Sequence, residues 1–297
     1  MRARRVDRMP PFPWAWLASV VAAASLLVAY AHAQGQQRVT VPSLDREKGA
    51  QGAPVNLPGY WFAAGAASAP AAVLLHGCGG PYGRDGQLGE RMREYAGLLN
   101  AQGVHALVLD SLTPRGEKEL CMQRVGTRGV TQANRRLDAL AAVAWLAQRP
   151  DVDARRIGLL GWSNGGSTVL AALNERLPIV AAAAHKPAFA IAFYPGCEAE
   201  LKRGFATSTK LLMLIGELDD WTPAAPCREL ARDASGGVVP QVDIYPGAYH
   251  GFDSASPVRL RKDVPNGANP GQGVHVGGEP AARAASRVRL QRFLAQL

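Results

Sequence analysis

The sequence predicts an α/β fold in which a mostly parallel β-sheet is covered by helices on both faces. Short apolar segments that are typical of buried strands alternate with longer segments whose apolar residues recur at helical spacing. Each of the strand-like segments is nearly continuously apolar, which is typical of parallel strands buried on both sides. Their regular alternation with helices indicates successive β-α-β units, and therefore one layered sheet.

The predicted elements follow one another without an internal repeat. After short β-like pieces at residues 38–41 and 60–62, strands are expected at residues 71–75, 104–109, 157–160, 188–193, 211–215 and 242–245. Helices are expected at residues 89–100, 132–148, 166–176, 223–232 and 279–297. Residues 151–155 are predicted as a turn, and the Gly/Pro-rich residues 263–278 as a long surface excursion. We expect residues 34–297 to form a single domain.

The first 33 residues have the features of an export signal. A basic start at residues 1–8 is followed by an apolar run at residues 14–30 and by Ala31-His32-Ala33, a pattern typical of signal cleavage. Because this pattern follows the apolar run directly, we favour cleavage after Ala33 over an uncleaved membrane anchor formed by residues 14–30. The protein is then expected in the periplasm or secreted, with a membrane contact only during export.

The charge of the chain does not indicate a nucleic-acid partner. Its 297 residues carry a formal net charge of +9; four arginines and one aspartate in the expected signal contribute +3, which leaves +6. This surplus is scattered and forms no Lys/Arg run beside aromatic residues, as expected for a bland basic surface. The sequence contains no C-x-x-C and no H-E-x-x-H, so it gives no support for a zinc site.

The motif Gly161-Trp162-Ser163-Asn164-Gly165 fits the pattern G-x-S-x-G and lies between a predicted strand and a predicted helix. Its glycines permit a turn so tight that side chains there would clash. Such a turn lifts the serine hydroxyl above the sheet, at the positive end of the following helix. The pattern alone also arises by chance, so its strand–turn–helix setting carries the prediction that Ser163 is a nucleophile.

A serine nucleophile needs a base that takes its proton and an acid that orients the base. On this kind of sheet the order along the chain is serine, acid, histidine. His250 follows the strand at residues 242–245, at the end where open α/β sheets bind ligands, and we therefore favour it as the base. His275, within the surface excursion, is the alternative and has the ordinary interpretation of an exposed or hairpin histidine.

Three carboxylates follow the strand at residues 211–215 and compete for the role of the acid. We assign Asp219, which heads a D-x-x-x-P pattern whose Pro223 opens the next helix. Asp220 is the competitor, with helix capping or an exposed turn as its alternative role. Glu217 is expected to face solvent.

Two backbone N–H groups are predicted to bind the oxyanion that develops during attack on a carbonyl. One belongs to Asn164, directly after the nucleophile; the other is expected in the loop after the strand at residues 71–75, "HGCGG", where Cys78 is the candidate. The glycines of this loop allow its backbone to approach a substrate. His76 precedes the serine and is expected to be structural.

The segments "HGCGG", "GWSNGG", "GELDDWTP" and "YHGFD", in this order and spacing, resemble the dienelactone hydrolase family of α/β-hydrolases. The resemblance covers the chain from about residue 39 onward and includes "DSLTPRG" at residues 110–116. It implies an α/β-hydrolase fold and ester or lactone hydrolysis through an acyl-enzyme, with Ser163 as nucleophile, His250 as base and Asp219 as acid. The enzymes that give the family its name use cysteine, so the serine here favours a general carboxylic ester over dienelactone itself.

Four cysteines in an exported chain indicate disulfides, and four cysteines allow three connectivities. In the implied fold the strands before Cys78 and Cys121 are expected to lie near one another, as are those before Cys197 and Cys227. We therefore predict the pairs Cys78–Cys121 and Cys197–Cys227. The alternative is four buried apolar cysteines in a protein that is never exported.

Three residues are candidates for contact with the substrate. Arg115, after the carboxyl end of a strand, is a candidate for binding a substrate carboxylate, although a surface or loop-bracing role is the favoured interpretation. Tyr82 and Trp221 are candidates for the mouth of the pocket, although ordinary aromatic packing is the default interpretation for both.

These observations together predict an exported serine hydrolase of a small ester or lactone that needs no metal or organic cofactor. Because a fold does not determine a substrate, a peptidase or acyltransferase is the alternative among enzymes. A non-catalytic binding protein that kept the scaffold is the other alternative. The presence of all three triad residues disfavours it.

Overall fold

The computed structural model describes residues 36–47, 52–65 and 67–296, so the predicted export signal lies outside the described residues. Its main strands are β1 (Gln37–Arg46), β2 (Pro54–Phe62), β3 (Ala69–Leu75), β4 (His105–Leu109), β5 (Val152–Trp162), β6 (Phe189–Phe193), β7 (Lys210–Gly216) and β8 (Gln241–Tyr245). They form one sheet in the order β1-β2-β4-β3-β5-β6-β7-β8. The pairs β1–β2 and β2–β4 are antiparallel and all other neighbours are parallel, which confirms the predicted mostly parallel sheet.

Helices cover both faces of this sheet, as predicted. They are α1 (Glu90–Asn100), α2 (Gln132–Ala147), α3 (Asn164–Leu173), α4 (Pro178–Ala181), α5 (Glu198–Arg203), α6 (Ala224–Asp233) and α7 (Pro280–Leu294). Tyr95 of α1 and Phe293 of α7 belong to the core of one face, whereas Val143 of α2, Leu170 of α3 and Leu230 of α6 belong to the core of the other. Within the described part of the chain, no helix has the length and apolar character needed to cross a membrane.

The centre of the sheet is almost entirely apolar. Every residue of β4 and of β6 is buried, as the continuous apolar runs in the sequence predict for strands covered on both sides. Burial of each large apolar side chain contributes about 1.5–3 kcal/mol, so this centre is rigid. The loops that leave its carboxyl ends therefore start from fixed positions.

The prediction that residues 151–155 form a turn before the strand is wrong, because β5 already begins at Val152. The pairing of β5 with β3 explains the turn-like sequence of this segment. Ala69 pairs with Val152 and Ala71 with Ile157, so the register jumps between these two pairs. Residues 153–156 therefore bulge out of the ladder, and the Asp153 carboxylate accepts hydrogen bonds from the backbone N–H of Arg155 and the side chain of Arg156.

The surface excursion and the residues just before it form a small hairpin whose strands the sequence did not predict. Its strands β9 (Arg259–Arg261) and β10 (Val274–Val276) pair antiparallel. The hairpin is attached to the loop after β8 by a bridge between His250 and Val276 and by the Gly277 N–H, which donates to the His250 carbonyl at 3.0 Å. The excursion is therefore bonded to the end of the sheet.

The turn between β5 and α3 is the tightest junction of the fold. A Cβ atom on Gly165 would lie 1.9 Å from the Leu75 carbonyl oxygen, and one on Gly161 would lie 2.3 Å from the Gly165 carbonyl oxygen. Both obstacles are backbone atoms of packed elements, which move only if the sheet and the helix separate. Only glycine fits these two positions.

We expect Gly165→Ala to destabilise the protein by about 3 kcal/mol, because the added methyl group overpacks a junction of rigid backbone. Gly97→Ala is the matched control: Gly97 lies within α1 and a Cβ there would meet no atom within 4 Å. Removing a helical glycine is expected to stabilise by about 0.5–1 kcal/mol. Urea unfolding curves of both variants measure the difference, and equal midpoints would contradict the expectation.

Candidate active site

Ser163 lies at the turn between β5 and α3 with a backbone φ of 54° and ψ of −116°. A residue with a side chain adopts a positive φ of this kind at a cost of about 1–3 kcal/mol, so the surrounding structure must hold it. Two hydrogen bonds do so: the Ser163 N–H donates to the Phe193 carbonyl at 2.9 Å, and the Ser163 carbonyl accepts from the Ser167 N–H at 2.8 Å. The turn leaves the hydroxyl half-buried at the carboxyl edge of the sheet.

The structure brings together the three residues predicted as a triad. His250 Nε2 lies 2.9 Å from Ser163 Oγ, and His250 Nδ1 lies 2.9 Å from Asp219 Oδ2. The imidazole and the carboxylate are buried, with 3% and 5% of each residue exposed. An Nδ1–H that donates to the carboxylate leaves Nε2 as the acceptor for the serine proton, which is the arrangement that general-base catalysis requires.

The Asp219 carboxylate is oriented by its own loop. Its Oδ1 accepts hydrogen bonds from the backbone N–H groups of Trp221 at 2.9 Å and Thr222 at 2.8 Å. The Thr222 hydroxyl lies 3.1 Å from both Asp219 Oδ2 and His250 Nδ1. Because one oxygen is held by the backbone, the other is presented to the imidazole in a single orientation.

Two aromatic rings contact the His250 imidazole. The Tyr194 ring centre lies 4.6 Å and the Trp221 ring centre 4.7 Å from that of His250. Trp221 also packs against the apolar cluster that contains Cys78 and Cys121. It therefore packs between the base and the predicted oxyanion loop, and its place at the mouth of a pocket stays a prediction.

The two residues considered as alternatives for the triad form a pair of their own. His275 Nδ1 lies 2.7 Å from Asp220 Oδ2, and the His275 backbone N–H donates to Asp220 Oδ1 at 2.8 Å. The His275 ring also packs on Tyr249, with ring centres 4.8 Å apart. Asp220 thus holds the hairpin strand β10 against the acid loop and does not contact His250.

The loop predicted to supply the second oxyanion donor lies directly against the nucleophile. A Cβ atom on Gly77 would lie 3.7 Å from Ser163 Cβ. The loop is held by the disulfide Cys78–Cys121 and by the Leu120 N–H, which donates to the Cys78 carbonyl at 2.7 Å. Among the described residues, neither the Cys78 N–H nor the Asn164 N–H donates to a protein acceptor, which leaves both donors available.

His76, at the start of this loop, has the structural role expected for it. It is fully buried; its Nδ1 lies 2.7 Å from the Gly77 carbonyl, and its Nε2 accepts from the Ser111 N–H at 3.3 Å. Burial, together with the charge of Arg135, lowers the pKa of His76 well below its ordinary value. A neutral imidazole with a proton on Nδ1 satisfies both contacts.

The predicted contact of Arg115 with a substrate carboxylate is wrong, because two carboxylates of the protein already bind this guanidinium. Its Nη2 lies 2.8 Å from Asp45 and 2.7 Å from Asp138, and its Nη1 donates to the Ser111 carbonyl at 2.7 Å. Only 11% of its side chain is exposed. These contacts fit the other role considered for Arg115, which is to brace the loop.

Tyr82, the other candidate for the pocket mouth, packs edge-on against Tyr60, and the two hydroxyl oxygens lie 3.3 Å apart. Ordinary aromatic packing accounts for these contacts.

The second disulfide joins Cys197, before α5, to Cys227 of α6 and belongs to the apolar core of its face. Both disulfides have the pairing expected from the sequence, and two such bonds fit an oxidising compartment.

Among the residues with described positions, no group of three or more His, Cys, Asp or Glu side chains is arranged to hold a metal ion.

Sequence reasoning missed two buried residues that organise the site. Asp253 accepts hydrogen bonds from Tyr194 at 2.7 Å, Trp162 at 3.1 Å and Arg91 at 3.1 Å, which ties the loop of His250 to β5, β6 and α1. Arg135 of α2 contacts Asn164 and His76. The sequence offered one indication for Arg135: it is spaced at helical intervals from positions 139 and 142, which share the buried face of α2.

The profile of the dienelactone hydrolase family matches residues 59–291, which is most of the chain. No curated protein matches it. Solved structures do resemble it, at identities that show the fold alone.

Three of these structures illustrate the likeness. A dienelactone hydrolase-like promiscuous phosphotriesterase from metagenomic libraries is 20% identical, with a TM-score of 0.59 over 89% of this chain and 99% of that one. Native esterase 2 from the planctomycete Thermogutta terrifontis is 17% identical, with a TM-score of 0.59 over 88% of this chain and 92% of that one. A dienelactone hydrolase from Anabaena variabilis is 19% identical, with a TM-score of 0.58 over 88% and 97%.

The family match spans the serine turn, the acid loop and the histidine loop, and the sheet has the order and direction of an α/β-hydrolase. The chain therefore belongs to the dienelactone hydrolase family of the α/β-hydrolase superfamily, and it is an enzyme of the carboxylic ester hydrolase class.

Proposed function

We propose that the protein is an exported serine hydrolase that cleaves a small carboxylic ester or lactone through an acyl-enzyme. The observation that carries the proposal is the chain of hydrogen bonds from Ser163 Oγ through His250 to Asp219, each 2.9 Å long. A serine, an imidazole and a carboxylate in this order form the arrangement that activates a hydroxyl at neutral pH.

In the first half of the reaction, Ser163 Oγ attacks the substrate carbonyl carbon while His250 Nε2 takes the hydroxyl proton. The carbonyl oxygen becomes an oxyanion, which accepts hydrogen bonds from the N–H groups of Asn164 and Cys78. The bond to the alcohol oxygen then breaks, and the imidazolium gives its proton to that oxygen. For a lactone the alcohol remains tethered to the acyl group.

In the second half, water replaces the alcohol as the nucleophile. His250 takes a proton from the water as its oxygen attacks the ester carbon of acylated Ser163, and a second oxyanion forms at the same N–H groups. The bond to Oγ breaks and Oγ recovers the proton from His250. Asp219 stabilises the imidazolium in both halves.

The proposed substrate is a general ester or lactone, not dienelactone itself. The nucleophile is serine at position 163, whereas the resemblance implies cysteine in the enzymes that give the family its name. A peptidase or acyltransferase activity on the same fold is the alternative. Tests with esters of graded chain length, with lactones and with peptides in parallel separate these substrate classes.

Export and domain organisation belong to the same proposal. The basic and apolar segments with the Ala31-His32-Ala33 site support cleavage after Ala33, with residues 34–297 as a single hydrolase domain. The two disulfides support an oxidising location such as the periplasm. Mass spectrometry of the secreted or periplasmic protein tests the cleavage site directly.

We expect Ser163→Ala to lose at least about 10⁴-fold in kcat toward p-nitrophenyl acetate and to lose all labelling by a fluorophosphonate probe, because the attacking oxygen is removed. Ser167→Ala, one turn along α3, keeps the nucleophile and is the control that should still label. Labelling of Ser163→Ala equal to that of the wild type would reject the serine-hydrolase proposal.

Single amide substitutions distinguish the two neighbouring aspartates. Asp219→Asn is expected to lower kcat by about 10⁴-fold, because the amide favours the wrong imidazole tautomer. Asp220→Asn, which only loosens the contact with His275, is expected to stay within about tenfold of the wild type. Activity that survives Asp219→Asn but is lost in Asp220→Asn would reverse the assignment.

The two disulfides are expected to differ in their effect on activity. Replacing either pair by alanines should lower the free energy of unfolding by about 2–4 kcal/mol. Only Cys78→Ala/Cys121→Ala should also lower kcat, by roughly tenfold, because it frees the loop that carries an oxyanion donor. Cys197→Ala/Cys227→Ala is the control, assayed with both variants fully folded; equal kcat values would contradict a role of the first disulfide in the site.

A further inference from the structure

Arg135 is a buried charged residue that the mechanism above does not use. It lies in the first turns of α2, none of its surface is exposed, and it faces the turn that carries Ser163. A charged side chain is almost never fully buried unless it has specific partners. Its position therefore requires an explanation.

The guanidinium bridges the two segments that carry the predicted oxyanion donors. Its Nη1 donates to the side-chain oxygen of Asn164, whose backbone N–H is the first donor. Its Nη2 donates at 2.8 Å to the carbonyl of His76, two residues before Cys78, whose N–H is the second donor. These segments follow two different strands, β5 and β3, and Arg135 joins them by side-chain hydrogen bonds.

The charge of Arg135 is not neutralised by direct contact. Both of its hydrogen bonds end on uncharged acceptors, and its Nε has no partner among the described residues. The acidic residues whose charge acts on the Arg135 guanidinium are Asp138 and Asp110. Asp138 is bound by Arg115 and by the Ser43 hydroxyl, and Asp110 accepts from its own loop, including the Leu112 N–H at 2.9 Å.

Arg135 nevertheless remains protonated at neutral pH. Burial, opposed by Asp138 and Asp110, lowers its pKa to about 10. The site therefore contains a fixed positive charge in a region with little water, where its attraction for a developing negative charge is much stronger than in solution. The negative charge of the reaction develops beside Asn164, which Arg135 contacts.

We propose that Arg135 is a positioning residue of the oxyanion hole: it fixes the Asn164 and His76–Cys78 segments relative to each other and adds positive charge behind their N–H donors. The inference rests on the proposed acyl-enzyme mechanism. It assigns to Arg135 a contribution that exists only when the oxyanion forms, since a neutral substrate carbonyl carries little charge for it to act on.

The test compares Arg135→Met, which removes the charge and the donors, with Arg135→Lys, which keeps a basic group but not the two-ended bridge. The matched control is Arg136→Met, because Arg136 is the next residue of α2, is half-buried and has Glu200 as its acidic neighbour. For each folded variant we would measure kcat and KM with p-nitrophenyl acetate. The inhibition constant of phenylboronic acid is measured as well, since its adduct with serine is tetrahedral and anionic.

We expect Arg135→Met to lower kcat by roughly 10–100-fold with little change in KM, somewhat less than the loss of a direct oxyanion donor. The boronate inhibition constant should rise by a similar factor. Arg135→Lys should recover part of both losses, and Arg136→Met should behave like the wild type. A merely structural role would lower the amount of active enzyme without raising the boronate constant of the molecules that remain active.

Several outcomes would overturn the inference. Absence of fluorophosphonate labelling and of turnover in the wild type would reject the proposed function, and this inference with it. Turnover and boronate binding of folded Arg135→Met within about twofold of the wild type would reject the inference alone. If Arg135→Met does not accumulate as folded protein, the result for Arg135→Lys decides. Unchanged kcat and an unchanged inhibition constant of phenylboronic acid would overturn the inference. A parallel change of about threefold or more in both quantities would support it.

Discussion

The candidate site depends on the close packing of the turn between β5 and α3 against the end of β3. Ser163 adopts an unfavourable φ of 54° there, and the glycines around it are required because a methyl group on Gly165 would meet the Leu75 carbonyl. The cost of the strained serine is offset by the burial of the sheet and of α3 on either side of the turn. Every other part of the site is arranged around the position at which this turn holds the hydroxyl.

The acid and the base reach that hydroxyl from separate loops, and the excursion after β8 holds these loops together. Strand β10 contacts both: His275 binds Asp220, next to the acid, and Val276 forms a bridge with His250, beside the Gly277 N–H that donates to the His250 carbonyl. A segment that is irregular in sequence thus fixes the separation of Asp219 and His250.

The pair Asp220–His275 is similar to the pair Asp219–His250, because in both the carboxylate contacts Nδ1 of the imidazole. However, the described contacts of His275 include no hydroxyl at Nε2, so it provides support and not a base.

The sequence predicts the site well where the chemistry depends on local patterns. The order of strands and helices, the tight turn at Ser163 and the loops that hold Asp219 and His250 each follow from a short motif beside an apolar run. Residues whose roles depend on distant partners could not be predicted in this way. The partners of Arg115 could not be identified because Asp45 and Asp138 are distant from it in the sequence. The hairpin β9–β10 was missed because each of its strands has only three residues and the segment between them is rich in glycine and proline.

The contacts of Arg115 bear on the surroundings of Arg135, because Asp138 of α2 binds Arg115 and also acts on the charge of Arg135. Asp138 lies one turn after Arg135 and would be its natural partner at i,i+3 spacing. Both oxygens of Asp138 are instead occupied by Arg115, at 2.7 and 2.9 Å. Because Arg115 satisfies this carboxylate, Arg135 turns to the neutral oxygens of Asn164 and His76. Arg115 thus leaves the charge of Arg135 without a carboxylate in direct contact, which is the condition on which the proposed role of Arg135 at the oxyanion depends.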